Sequence, residues 1–460
     1  MPPSLRLAAA LAGVALSAGA ARAQGAGPVA FVDVTVVPMD RERALPHETV
    51  VVDGGRVVAL GPAAGARVPA GALRVDGRGK FLLPGLVDMH AHLAPGAGSL
   101  AAPAGRQLAL YLATGFTTVR SLGVSPANGP AALALRDRVA RGEALGPTLV
   151  VASPSVNGNS ARTPADAARL VAEAKRAGYD AIKTHGGFAS REAYDSMAAA
   201  ARRLGIPLVG HVTSEYGLAR AMAAGQQIEH LDGWISAALR DGVPAPQGSD
   251  QFLLDPAVLA QVDDAKLRAL VAETVRLGIW NGPTLALFGT LGSDTTAEQL
   301  ARRPELRYTP AAALAQWAPQ RTQLLGAPAE ARHAYLALRN RIVRELHAAG
   351  AKLLVGSDSP QLYMTPGYGA LREIDAFVAA GLPPYAALEA ATRNPAEYLG
   401  RADAGTVAVG KRADLLLVDG DPLASVANLR RVAGVMVGGR WLDAARLDAL
   451  REGVRAALPR

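Results

Sequence analysis

Apolar runs and polar stretches alternate along most of this chain. Eight apolar segments predict strands: 81–88, 115–123, 147–153, 179–185, 206–212, 226–231, 279–287 and 351–358. Helix-spaced segments such as 164–177 and 191–204 lie between many of them. This alternation predicts a parallel α/β sheet. Eight repeats predict a closed (β/α)8 TIM barrel. A doubly wound open sheet is the alternative, but no Gly-x-Gly-x-x-Gly turn follows the first strand, which argues against a dinucleotide fold. The connections 234–278 and 288–349 exceed the usual loop length and carry helical patterns of their own, as lids and pocket walls do.

The two ends read differently. Residues 31–37 are β-rich, and 49–52 and 56–60 flank the turn Asp53-Gly54-Gly55 as a hairpin does. The stretches 413–420, 432–437 and 440–442, with Gly438-Gly439 between the last two, repeat that character. The expected organisation is a small β-sandwich built from 24–80 and 401–460, around a barrel over 81–400. Residues 1–23 read as a signal peptide: Arg6, an apolar stretch 7–20, and Ala21-Arg22-Ala23 before Gln24. An uncleaved anchor is the alternative, though the run is short for a span. No cysteine follows Ala23, so a lipoprotein route is excluded. The expected location is periplasmic or secreted.

The chain has 460 residues, half of them hydrophobic, enough to bury a large core. Its formal charge of +8 falls to +6 when Arg6 and Arg22 leave with the signal. No dense basic run or aromatic-interleaved basic stripe appears, so nucleic acid is not an expected partner. Nor is a membrane, once the signal is cleaved. The expected partner is a small-molecule substrate, and a homo-oligomer is compatible with the sequence.

Chemistry gathers where the apolar runs end. The first ends in Asp88-Met89-His90-Ala91-His92; side chains two apart on a strand share a face, so His90 and His92 form a pair suited to a divalent metal. Later runs end in Lys183-Thr184-His185, Gly210-His211, Glu229-His230 and Ser357-Asp358. In a barrel these ends meet at one mouth. Singly, each has a plainer explanation: packed histidines, an ion-paired lysine, a helix-capping aspartate. Their joint occurrence on five strands points to a metal centre. Lysine as an ammonium is a poor ligand; carboxylated by carbon dioxide, it becomes a carbamate able to bridge two ions.

The stretches "FLLPGLVDMHAHL", "YDAIKTHGG", "IPLVGHV", "IEHLDG" and "LLVGSDSP", with the tail "ALEAATRNPAEYLGRADAGTVAVGKRADLLLVDGDP", resemble the amidohydrolase superfamily, and within it the imidazolonepropionase-like and prolidase-like metal-dependent hydrolases. The resemblance implies two divalent ions, usually zinc. It places His90, His92 and Asp358 on one ion, His211 and His230 on the other, and a carboxylated Lys183 bridging both. It implies hydrolysis of an amide, in a dipeptide or N-acyl amino acid, with Asp358 as general base and then acid. Deaminases of the superfamily want a glutamate where this chain has Ser214. A lactone or phosphoester hydrolase shares every ligand and stays open, as does a mononuclear imidazolonepropionase-like cyclic amide hydrolase. A non-catalytic binder would show damaged ligands, and all six are intact. His185 departs from the pattern and reads equally as a substrate contact or a support for the ligands. Tyr216, Trp234, Tyr308, Trp317, Tyr363 and Tyr368 are candidate pocket walls, and Arg120 is a candidate for a substrate carboxylate.

Overall fold

The computed structural model describes residues 27–94, 96 and 101–458; the expected signal segment 1–23 lies outside them. Five strands open the chain: β1 (Val29–Val36), β2 (Leu45–Asp53), β3 (Arg56–Pro62), β4 (Leu73–Asp76) and β5 (Lys80–Pro84). Seven short strands follow: β6 (Leu86–Ala91), β7 (Phe116–Ser121), β8 (Thr148–Val151), β9 (Ile182–Thr184), β10 (Leu208–Gly210), β11 (Gln227–Glu229) and β12 (Asn281–Gly282). The last three are β13 (Leu415–Asp419), β14 (Val432–Val437) and β15 (Arg440–Asp443).

Both chain ends meet, but in one mixed eight-stranded sheet and not as the expected sandwich. Its order is β15-β14-β13-β5-β1-β2-β3, with β4 beside β1. The physical reason is β5. It pairs parallel with β1, Phe81 opposite Thr35, and antiparallel with β13, Leu83 opposite Leu416. Both of its edges are used, so the two ends merge into one layer. Period-two alternation then splits the side chains. Leu82, Leu415 and Leu417 join Val34, Val50 and Met436 on one face. Leu83 and Leu416 turn the other way, into the main core.

The expected strand 81–88 therefore breaks in two. At Gly85 a Cβ would sit 2.2 Å from Thr117 Oγ1, so only glycine lets the chain step from the terminal sheet to the central one.

The central strands form two parallel sheets, β6-β7-β8 and β12-β11-β10-β9. Isolated parallel bridges extend the pairing at their edges: Ala152 with Ala181, Asn281 with Leu353, and Ala91 with Ser359. The helices Pro164–Ala177 and Arg191–Leu204 run between strands as the sequence predicts. Thr163 and Asp166 close a capping box at the first, and Ser190 caps the second; Gly178 and Gly205 end them in the left-handed region.

Two expected strands fall short. Residues 351–358 make one bridge, at Leu353, though their backbone still reaches both neighbours: Leu354 N donates to Asn281 O at 2.9 Å, and Met89 N to Val355 O at 2.8 Å. The run 279–287 gives two strand residues and then the helix Leu285–Gly292. Pro283 has no N–H to continue a ladder, and Thr284 turns the chain at φ +50°. The buried Glu373 carboxylate then accepts the N–H groups of Leu285 (2.8 Å) and Ala286 (2.6 Å). The long connections carry helices, among them Asp264–Leu277, Ala311–Leu325 and Ala329–Ala348. Among the described residues no helix is long and apolar enough to cross a membrane.

Candidate metal centre

The strand ends converge as their spacing predicts. The His90 and His92 ring centroids are 5.4 Å apart, His90 and His230 4.7 Å, and His211 and His230 4.7 Å. Asp358 lies among them: Oδ1 is 2.7 Å from His92 Nε2 and 3.3 Å from His90 Nε2, and Oδ2 is 3.8 Å from His230 Nε2. Ligand atoms of His90, His230 and Asp358 all fall within 4.8 Å of one another, a candidate metal site. Two glycines let this happen. A Cβ on Gly282 would sit 2.4 Å from Glu229 Oε2, and one on Gly356 2.7 Å from His90 Cβ.

Three of the four candidate ligand rings, those of His90, His211 and His230, are held by their far nitrogen. His90 Nδ1 donates to Glu229 Oε2 at 2.8 Å, and His211 Nδ1 to Asp232 Oδ2 at 2.8 Å. The Thr284 hydroxyl donates to Pro283 O, so it accepts from His230 Nδ1 at 2.8 Å. A neutral imidazole with Nδ1 protonated presents an Nε2 lone pair. His90 Nε2 and Lys183 Nζ are buried with no hydrogen-bond partner. Buried polar atoms seldom stay unpaired. An imidazole nitrogen and an amine left bare beside an aspartate fit a cation and its bridging ligand.

Electrostatics follow from burial and neighbours. Burial drives the basicity of His90 and His230 well below that of free imidazole. It likewise lowers the Lys183 ammonium, against the pull of Glu229 and Asp358. Burial opposes charge on Asp358 too, but His90, His92 and Lys183 outweigh it and hold the carboxyl well below its usual range. His185 is pushed down to about 4 by burial and by His211 and Lys183. Glu229 is pushed up to about 7 by burial, against Arg120 and Lys183. The backbone is strained here as well. Of ten non-glycine residues at positive φ among the described residues, seven lie in or beside the site: His230, Leu231, Phe252, Thr284, Asp358, Leu362 and Tyr363.

A cavity of about 380 Å³ opens above this floor. His92, His185, His211, His230 and Asp358 face it from below; Gln251, Phe252, Leu287, Phe288, Pro360, Gln361 and Leu362 form its wall. A larger cavity, about 820 Å³, lies far from the imidazoles against Leu73 and Trp441 in the terminal sheet. It gathers no comparable ligand cluster, so the smaller one is the candidate site.

Several expected contacts need correction. Arg120 is buried beneath the ligands: Nε donates to Met89 O (2.7 Å), Nη1 to Gln227 Oε1 (2.6 Å) and Nη2 to Glu229 Oε1 (2.9 Å). It has no face toward the cavity and balances Glu229 instead. Tyr216 stacks on Tyr194 at 3.8 Å and donates its hydroxyl to His211 O, so it props a ligand and leaves substrate untouched. Trp234 is fully buried, its Nε1 donating to Asn281 Oδ1. Tyr308 stacks with Tyr368, and Trp317 packs edge-on against Tyr363; none of these lines the cavity. His185 does, its ring 4.5 Å from that of His211. The sequence reading missed Glu229 and Asp232 as anchors, although both flank His230 in "IEHLD". It also missed Thr284, Gln251, Phe252 and Phe288, which no local pattern marks.

The sequence model of the amidohydrolase family matches residues 81–442, most of the chain and every residue of this cluster. The chain belongs to the amidohydrolase family. An adenine deaminase from Rubrobacter xylanophilus is 27% identical over 433 residues, covering 92% of this chain. The chain spans 60% or less of the length of the curated relatives it matches. Among solved structures, a prolidase candidate from Bifidobacterium longum aligns with a TM-score of 0.66 at 26% identity, covering 93% of this chain and 99% of that one. A bottromycin amidohydrolase aligns with a TM-score of 0.70 at 25% identity, covering 94% and 90%. This member of the family thus carries a His-His-Asp candidate metal site.

Proposed function

We propose that this amidohydrolase hydrolyses a carbon–nitrogen amide bond with two divalent cations, probed first as zinc. The observation that carries this reading is the pair of bare, buried atoms, His90 Nε2 and Lys183 Nζ, amid ligands anchored through Nδ1. His90, His92 and Asp358 would hold one cation and His211 and His230 the other, with Lys183 as a carbamate between them. The chemistry such cations supply is an acidified water and a polarised carbonyl. The chain's own part is proton handling and geometry. Asp358 stays ionised among the imidazoles, so it takes the proton of the attacking water and returns it to the leaving nitrogen. His185, at the cavity edge, is placed to contact the substrate. Bridges at Ala152, Asn281 and Ala91 support reading the two central sheets as one closed eight-unit barrel over 81–400, with 24–80 and 401–460 forming the terminal layer.

Hydrolysis is favoured over deamination by Ser214. Where deaminases of the superfamily want a glutamate, its hydroxyl accepts from Gly248 N at 2.8 Å and pins a loop. We also propose export, with a mature start at Gln24; intact mass of the protein from the periplasm or medium checks it.

The deciding experiment is metal analysis of the purified protein, never exposed to chelator, with a substrate panel. The panel holds N-acyl amides, Xaa-Pro dipeptides, N-acyl amino acids, lactones, organophosphates and adenine. Two ions per chain and amide cleavage are expected. Activity confined to lactones and organophosphates, or ammonia release from adenine alone, overturns the reading.

A further inference from the structure

The wall of the 380 Å³ cavity is built for one kind of group. Phe252 and Phe288 stand side by side, ring centroids 5.1 Å apart, and the Phe288 ring is 5.9 Å from that of His230. Leu287 and Leu362 continue this surface. The result is an apolar shelf that begins at a ligand and runs outward. Its polar interruptions are two neutral carboxamides, Gln251 and Gln361. Gln251 Nε2 donates to Asp232 Oδ1 at 2.7 Å and lies 3.1 Å from His211 Nδ1, so the amide nitrogen faces the layer of candidate ligands.

The shelf is stiff. Phe288 belongs to the packed cluster with Ile235, Leu291 and Tyr335. The Arg339 guanidinium lies 3.8 Å from the Phe288 ring centroid and donates to Pro283 O and Tyr335 Oη. Phe252 N donates to Tyr335 Oη at 3.3 Å. Arg339 is thus spent on fixing the shelf and is itself 2% exposed. Among the described residues lining the cavity there is no lysine or arginine. A carboxylate carried onto such a surface loses its water and gains no cationic partner, whereas an aryl or branched alkyl group gains apolar contact. Recognition of free carboxylates is the work of guanidinium forks or backbone N–H groups.

We propose that the substrate is a neutral amide whose aryl or branched aliphatic group lies on the Phe252–Phe288 shelf, and not an amino acid or dipeptide with a free α-carboxylate. This rests on the amide-hydrolase reading above and narrows it. Water adds to the carbonyl, the C–N bond breaks, and the products are a carboxylic acid and an amine that takes up the proton.

The test uses a matched pair, N-benzoyl-phenylalanine and its N-methylamide, which share the benzoyl amide and end in a carboxylate or a neutral amide; release of benzoate reads cleavage of the shared bond. With zinc-loaded protein, kcat/KM for the methylamide is expected to exceed that for the acid at least tenfold. Ligand-induced shifts in Tm for the same two compounds read binding even if neither is cleaved. Gln361→Arg places a guanidinium in the wall and is expected to move the preference toward the acid by about tenfold in both readouts. A wild-type preference for the acid in cleavage or in binding overturns the proposal while the amide-hydrolase reading stands. Neutral preference in binding without cleavage of either compound sustains the proposal and counts against that reading. Equal handling of both compounds, unchanged by Gln361→Arg, overturns the proposal.

Discussion

His90 Nδ1 rests 2.8 Å from Glu229 Oε2, and both side chains are 1% exposed or less. Glu229 comes from β11 and His90 from β6, across the central region from one another. The same carboxylate takes Arg120 Nη2 on its other oxygen at 2.9 Å. One buried charge therefore sets the tautomer of a ligand and neutralises the guanidinium beneath it. Glu229→Gln keeps the shape and removes the charge. Zinc affinity is expected to fall roughly 10–100-fold. Competition with a chromophoric chelator measures it; an unchanged dissociation constant would contradict the anchoring role.

Lys183 gives a second, separable prediction. Its amine is buried without a partner, which costs the metal-free protein free energy. Lys183→Met is expected to raise the unfolding free energy of chelated protein by roughly 1–3 kcal/mol. On the two-cation reading, the same variant should bind one zinc and the parent two, by elemental analysis. A less stable variant with full metal content would sink both the unpaired amine and its bridging role.

Glu373 links stability to pH. Burial pushes its carboxyl up to about 8, against the two backbone N–H groups it accepts. Its folded pKa lies above the unfolded one near 4.5, so the native state holds the extra proton between those values. The contribution is complete below about pH 4.5 and is lost as pH rises through 8. The slope is at most about 1.4 kcal/mol per pH unit. Glu373→Gln should flatten the decline in urea midpoint between pH 6 and 9. Parallel curves for parent and variant would refute the assignment.

Arg321 holds the loop behind the cavity wall. Its guanidinium donates to Leu291 O (2.6 Å), Ser293 O (2.6 Å) and Thr295 O (2.7 Å from Nη2, 2.9 Å from Nε). Arg321→Met leaves those carbonyls without it and is expected to cost roughly 3 kcal/mol or more. Metal content should not change, because no ligand touches this loop. A variant as stable as the parent would contradict the clasp.

The convergence of the candidate ligands was legible because each closes an apolar run, and strands that run parallel bring such ends together. The helices 164–177 and 191–204 were legible because Thr163, Ser190, Gly178 and Gly205 mark their limits. Arg120 was misread because sequence does not say how far below a strand's end a side chain projects; it lies one residue before the end of β7 and points into the layer under His90. Tyr216 was misread because a tyrosine just past a ligand looks like a wall when its hydroxyl is in fact spent on a carbonyl. The shelf was hidden for a different reason. Phe288 sits on a helix whose start lay inside one continuous apolar run, and its limit is set by Glu373, eighty-five residues downstream of Phe288. The sandwich expectation failed at β5, because composition cannot reveal that one strand serves two neighbours.

That shared strand has a temporal consequence. β5 is made early, but its partner β13 emerges from the ribosome more than three hundred residues later. Until then one flank of β5 is open to solvent and the terminal layer lacks its seam. Contacts so distant in sequence form slowly. The nascent protein should therefore stay unlocked until translation is nearly complete, a useful property for any chain that must be threaded across a membrane before it sets.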